Sequence, residues 1–282
     1  MFSRVAMITV PIFLCGLFAS SAMGQPETHN SNQPTAAEIV KRMKHALEPG
    51  VPSVRVMTLR VNGAQGSAVQ WKLAQARAPV NASNWILTVM VLPSSWGEGI
   101  ALLDEDTPSS TSAVEYIYLP AVKRVRRFTW LQAWEPFFGS DFSYQDFSFL
   151  RLGAHPKLKG IQIHNGTKCY SLEEAFINNP YYSNVATFVA TATGLPVERD
   201  YYDLTGKLYK TERYEQIVTI QNVPTITRIV MTDVQMDTSS EIDVTSVKYD
   251  KEAPAKLFDP SKLPNVAPIN SGRAPCSPTR LP

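Results

Sequence analysis

The residue types that most often carry chemistry are present in this chain but not in arrangements that perform it. Four histidines, His29, His45, His155 and His164, are scattered over 282 residues, and none has a serine or cysteine nearby in a nucleophilic pattern. Gly-x-Ser-x-Gly, His-Glu-x-x-His, Cys-x-x-Cys and a glycine-rich phosphate loop are all missing from the sequence. A metal centre needs three or more convergent ligands, and no such set is legible. Glu173-Glu174 and the pair Asp233 and Asp237 read as strand-edge carboxylates. The expectation is a protein that is not an enzyme, with no catalytic residues, no metal and no cofactor.

Two other segments concentrate one kind of chemistry each. Between Phe128 and Phe142 six aromatic rings, Phe128, Trp130, Trp134, Phe137, Phe138 and Phe142, fall within 15 residues without alternation. That ring area suits the filling or capping of an apolar hollow. Pro136 and Gly139 interrupt the run, so it reads either as a movable lid over an apolar guest or as a fixed plug. Just before it stands Lys123-Arg124-Val125-Arg126-Arg127. Strand alternation puts Arg124 and Arg126 on one face. The run reads either as a surface for an anionic head group or membrane partner, or as an edge strand kept unpaired by its charge. Asp141 and Asp146 follow closely enough to pair with one of these arginines and hold the aromatic segment to a sheet.

The chain around these segments is globular: 44% of residues are hydrophobic and 18% charged, too much apolar material for a disordered protein. With 27 Lys+Arg against 25 Asp+Glu it has no basic field for a phosphate backbone, so nucleic acid is excluded as a partner. Residues 1–24 have the layout of a secretory signal peptide: Arg4, then the uncharged stretch Val5–Met23, then small residues including Ala22 and Gly24. The competing reading is an uncleaved membrane anchor; Pro11 and the small-residue ending favour cleavage. Residues 25–34 read as a flexible lead-in, 35–265 as the folded domain and 266–282 as a Pro-rich tail. In an exported chain Cys169 and Cys276 can pair, although Cys276 falls in the tail.

The elements that must position the aromatic and basic segments are mostly strands. Thr35 with Glu38 three residues on predicts a capped helix, with Ile39, Val40, Met43 and Leu47 as its apolar stripe and Pro49-Gly50 as its stop. From Ser53 the period falls to two. Val54, Val56, Val69 and Trp71 read as inward-facing wall positions. Trp85–Leu92 is apolar on both faces and predicts a central strand covered on each side, with Leu87 and Val89 as further wall candidates. Segments Glu98–Asp104, Val114–Leu119 and Lys123–Arg127 continue the series. After the aromatic run Ser143 to Leu150 reads as a short helix, capped by Ser143 with Asp146 at the third position, and strands resume from Lys159 to Tyr249. About a dozen strands with no βαβ alternation predict a mainly β fold, an antiparallel meander.

Tyr118-Leu119-Pro120 followed by Lys123–Arg127, then Gly139-Ser140-Asp141-Phe142 and Asp146-Phe147, resembles the outer-membrane lipoprotein-sorting (LolA-like) family, in particular the branch associated with efflux-type membrane transporters. The helix opening at Ala36-Ala37-Glu38-Ile39 and the closing Leu257-Phe258 … Leu263 resemble that family's two ends. The resemblance implies a curved antiparallel sheet forming a half-open β-barrel, with an N-terminal helix and short lid helices over an apolar cavity. It further implies a periplasmic location, lipid or lipoprotein acyl chains as ligand, and an inner-membrane transporter as partner. The lid-locking arginine of the well-studied carriers has no counterpart that the sequence identifies. A competing expectation is an envelope interaction module whose hollow is permanently filled.

Overall fold

A computed structural model of the chain describes residues 33–62, 68–81, 83–92, 99–106, 114–128, 132–148, 154–176, 179–249 and 255–266. The expected signal peptide, most of the lead-in, Trp130 and Cys276 lie outside the described residues.

Helix α1 (Ala36–Leu47) starts where the capping chemistry says it should. The Glu38 N–H donates to Thr35 Oγ1 at 3.2 Å, and the Thr35 N–H donates to Glu38 Oε2 at 2.8 Å. The helix buries Ile39 and Met43 against Leu172 and Val189. Its Arg42 Nη2 donates to the Ala192 carbonyl at 3.3 Å. Gly194, at φ +76°, sits under the same arginine, where an added Cβ would meet Arg42 Cγ at 3.0 Å. A side chain there would strain the backbone and crowd the Arg42 side chain.

The strands are β1 (Ser53–Asn62), β2 (Ala68–Val80), β3 (Ser83–Leu92), β4 (Ala101–Asp106), β5 (Val114–Leu119), β6 (Arg124–Arg127), β7 (Ala154–His164), β8 (Thr167–Ala175), β9 (Tyr182–Ala190), β10 (Pro196–Asp203), β11 (Leu208–Ile220), β12 (Val223–Asp233) and β13 (Thr238–Tyr249). They form one antiparallel sheet in the order β6-β5-β4-β3-β2-β1-β13-β12-β11-β10-β9-β8-β7. Each strand pairs with its sequence neighbour, except that β1 closes on β13 and β6 does not pair with β7. The sheet therefore stays open, and its two edges are consecutive in the chain. The segment that joins them holds the aromatic run.

Curvature follows from the core. Ile117 of β5 and Tyr182 and Val185 of β9 share one hydrophobic cluster, although eight strands separate β5 from β9 in the order. On a flat sheet those strands would lie roughly 40 Å apart. The concave face carries Met57, Leu59, Trp71, Leu73, Met90, Tyr201, Tyr214 and Ile242. The opposite face of β2–β4 is sealed by Leu257, Phe258, Leu263 and Val266 from two 3-10 turns, Ala255–Phe258 and Pro260–Asn265, lying on Ala76, Ala78, Leu87, Val89, Ala101 and Leu103. Strand β3 is thus covered on both sides, as its sequence predicts. Among the described residues no helix is long and apolar enough to cross a membrane.

Candidate functional site

The chain leaves β6, crosses the concave face and returns as β7. On the way its described residues make the 3-10 turns Gln132–Trp134, Phe137–Gly139 and Tyr144–Ser148. Phe137 and Phe142 are fully buried, while Trp134, Phe138 and Tyr144 are half-buried against the same core. The segment organises itself. Its Phe137 N–H donates to the Phe142 carbonyl at 2.7 Å, and Ser140 donates to the Phe137 carbonyl from N–H at 3.0 Å and from Oγ at 2.7 Å. Phe137 meets Phe138 and Tyr144 edge-on, with ring centroids 4.7 and 5.1 Å apart. The Ser143–Asp146 cap forms as the sequence suggests, with both the Ser143 N–H and Oγ donating to Asp146 Oδ2 at 2.6 and 2.7 Å.

Ring pairs also tie the segment to the rest of the molecule. Phe138 lies 5.6 Å from Trp71, and Trp134 lies 5.3 Å from Phe176 and 5.7 Å from Tyr182. Phe138 makes its contacts from a left-handed backbone, φ 49° and ψ 40°. For a bulky residue this conformation costs on the order of 1–2 kcal/mol. It is followed by Gly139 at φ +75°, so the tip of the loop is bent by two consecutive left-handed residues, one of them strained.

The anchor at that tip is polar. Thr238 Oγ1 and Ser240 Oγ donate to the two carboxylate oxygens of Asp141 at 2.6 and 2.5 Å. The Asp141 N–H donates to Ser240 Oγ at 2.9 Å, and Lys210 Nζ donates to the Asp141 carbonyl at 2.7 Å. Asp141 therefore does hold the aromatic segment to the sheet, but on β11 and β13 rather than through the arginines of β6. The expected pairing of Asp141 or Asp146 with Arg124 or Arg126 is corrected on that point. Proximity in sequence misleads because the segment has crossed the hollow by the time it reaches Asp141, and Asp146 spends its carboxylate on Ser143. Arg124 and Arg126 are exposed on the edge strand β6. Ile117, which pairs with Arg126, belongs to the concave core, so both arginines stand on the concave side of the rim.

Wall assignments divide by strand parity. Trp71 is on the concave face as expected. Val54, Leu87 and Val89 are not: they pack with the C-terminal turns on the opposite face. Val56 shares the parity of Val54 and is half-buried on that side too. The inward-facing residues of β1 include Arg55, Met57 and Leu59. The run Val54–Val61 is apolar in both phases, and the eye goes to the valines. Arg55 and Arg77 were the residues the sequence concealed. A signal existed: once Trp71 and Leu73 are taken as inward-facing, Gln75 and Arg77 must follow on the same face.

These two arginines stand at one end of the concave face. Arg77 makes an ion pair with Glu48, which caps α1, and its Nε donates to Gln75 Oε1 at 2.6 Å. Gln75 Nε2 in turn donates to Thr88 Oγ1 at 3.1 Å. Burial pulls the Arg77 guanidinium below its ordinary pKa, against the pull of Tyr249 and Asp104. Between this group, the end of α1 and β11–β13 lies a cavity of about 30 Å³, room for one or two waters. A second buried polar group lies across the hollow, where Arg199 pairs with Glu212 at 3.4 Å and the Tyr201 hydroxyl donates to Glu212 Oε2 at 2.8 Å. Burial pushes the Glu212 carboxyl up to about 7, with Asp146 adding to the rise, while Arg199, Tyr201 and Tyr214 oppose it. Among the described residues there is no cluster of ligands for a metal.

No curated protein matches the chain. Several solved structures share its fold. An outer membrane lipoprotein-sorting protein domain, so designated, from Vibrio parahaemolyticus superposes with a TM-score of 0.72 at 22% identity, over 82% of this chain and 98% of that one. A DUF1329 family protein from Desulfovibrio piger gives 0.72 at 21% identity, over 81% and 97%. A LolA superfamily protein from Nitrosomonas europaea gives 0.64 at 20% identity, over 80% and 98%. The LolA-like resemblance in the sequence thus holds for the fold, a curved antiparallel sheet left open along one side. A family model described as "uncharacterized protein" matches residues 87–265, from the central strand β3 through the crossing segment to the C-terminal cover, and the chain belongs to that family.

Proposed function

We propose that the protein is a non-enzymatic carrier, working in the periplasm, that takes up lipid or the acyl chains of a lipoprotein when the aromatic segment swings out of the hollow. The observation that carries this reading is the crossing segment itself: a self-organised, strained aromatic loop seated on the concave face of an open sheet, attached at its tip by polar bonds. The cavity of about 30 Å³ beside Arg55 and Arg77 is too small for an acyl chain, and on this reading the chain takes the space that the loop fills. Ten sheathed methylenes contribute ~8 kcal/mol, which offsets the burial and ring contacts that the segment surrenders, each ring pair being worth ~0.5–1.5 kcal/mol beyond its area, and release of the left-handed Phe138 returns ~1 kcal/mol. Delivery to or from an inner-membrane transporter is part of the same proposal and rests on the family resemblance.

The competing reading, an envelope interaction module with a permanently filled hollow, is favoured by the complete burial of Phe137 and Phe142. Titration with a displaceable fluorescent fatty acid separates the two. A carrier binds it in a 1:1 complex, and Trp134→Ala and Phe138→Ala, which loosen the cover, change its affinity by about threefold or more, since single ring contacts are worth ~0.5–1.5 kcal/mol. No binding by the parent chain sinks the carrier; binding unchanged in both variants sinks the movable cover.

A further inference from the structure

Arg55 is buried without a counter-charge. The residue is 8% exposed, its Nε has no hydrogen-bond partner, and among the described residues no carboxylate lies within ion-pair distance of it. Tyr249 is the neighbour that stabilises its charge, and burial still lowers its pKa. A guanidinium does not escape such a site by losing its proton, and an uncompensated buried charge costs several kcal/mol. Arg77, on the next strand, differs: Glu48 and Asp104 offset its charge.

Both guanidiniums line the cavity at the end of α1, and the remaining walls are split by polarity. Thr225 and Tyr249, 2.9 Å apart through their hydroxyls, continue the polar side. Leu47, Leu195, Ile226 and Val244 form the apolar side, and Met57, Tyr214 and Ile229 connect it to the main concave core. The cavity is therefore lined both by guanidinium donors and by side chains of the concave core. Its volume of about 30 Å³ suits a compact head group and no more.

We infer that this cavity is the head-group site for an anionic acyl amphiphile, a carboxylate or phosphate whose oxygens meet Arg55 while its chain enters the space vacated by the aromatic segment. The inference rests on the carrier reading and narrows it to a ligand class: the chain supplies affinity, and the anion supplies register and selectivity. A planar guanidinium binds either oxyanion through two parallel N–H donors, so the two head groups share one chemistry.

The test uses the purified chain and four probes, laurate, dodecyl phosphate, dodecanol and inorganic phosphate, followed by calorimetry and intrinsic tryptophan fluorescence. The anionic amphiphiles are expected to bind about tenfold or more tighter than dodecanol, one charge-assisted contact being worth at least that factor. Inorganic phosphate alone is expected not to bind at comparable concentration. Arg55→Met is expected to bind laurate and dodecanol alike, with a melting temperature equal to or above the parent's, because it removes an unpaired buried charge. Arg55→Lys keeps the charge without the planar fork and is expected to retain a reduced preference; it carries the test if the methionine variant fails to fold. Equal affinity of the parent for laurate and dodecanol overturns the head-group site while leaving the carrier standing. A full preference retained in both Arg55 variants does the same. Inorganic phosphate binding as tightly as dodecyl phosphate makes the cavity a free-anion site instead. Failure of every amphiphile to bind overturns the carrier and the head-group site together.

Discussion

The two faces of the same sheet are covered in opposite ways. On the outer face of β2–β4 the C-terminal turns press Leu257, Phe258, Leu263 and Val266 onto small and branched residues, Ala76, Ala78, Ala101, Leu87 and Val89. That seam is apolar throughout. On the concave face the cover is a loop of rings that pack partly on each other, its tip tied by Asp141 to Thr238, Ser240 and Lys210. The sheet beneath it holds several buried ionisable groups, among them Arg55 with Arg77 and Arg199 with Glu212. A close-packed hydrophobic seam resists opening because separation exposes all its area at once. Polar anchors exchange with water at a net cost of ~1 kcal/mol each. One face is covered by an apolar seam alone, and the other by buried rings with a polar tip, the cover that moves on the proposed carrier reading.

The largest effect that would break this comparison is on the sealed face. Phe258→Ala is expected to lower unfolding free energy by ~3–5 kcal/mol, the usual range for a buried ring, and to leave fatty-acid affinity of the folded fraction unchanged. Chemical denaturation paired with a binding titration checks both halves; a change in affinity would mean that the outer cover takes part in uptake. Next comes the anchor of the aromatic cover. Asp141→Ala removes two charge-assisted bonds and is expected to destabilise by ~2–3 kcal/mol, while raising the association rate of a fluorescent fatty acid in stopped-flow measurements. A rate that stays the same or falls would show that the loop tip does not gate the hollow.

The smallest effect concerns pH. Because the folded-state pKa of Glu212 is raised, from an ordinary 4.5 to about 7, its contribution to stability is present below 4.5 and lost as pH rises through 7. That loss is on the order of 1–3 kcal/mol. Denaturant midpoints measured from pH 4.5 to 7.5 should fall across this window in the parent and flatten in Glu212→Gln. An equal slope in both would assign the pH dependence to other groups.

Much of the architecture could be read from residue patterns. The capping pairs Thr35–Glu38 and Ser143–Asp146, the antiparallel meander, the doubly covered strand β3 and the edge position of the basic strand all depend on local alternation, local hydrogen bonding or local charge. The candidate site was read less well. Its aromatic cover was visible as a dense cluster of rings, but the partners of that cover were not. Val54, Val56, Leu87 and Val89 lie on the outer face, which local pattern does not reveal because strands β1 and β3 carry apolar residues in both phases, and a one-residue choice of phase moves every side chain across the sheet.

The sequence by itself determined which segments are strands, where α1 begins and that an irregular aromatic run interrupts the meander, since these follow from forces acting within a few residues. Only the tertiary structure decided that the run spans the gap between the sheet's two edges, that Asp141 is held by β11 and β13, and that Arg55 points into the hollow. Those outcomes depend on how far the sheet curls and on which groups, distant in the chain, it brings together; burial and charge are then set by the assembled neighbours rather than by adjacent residues.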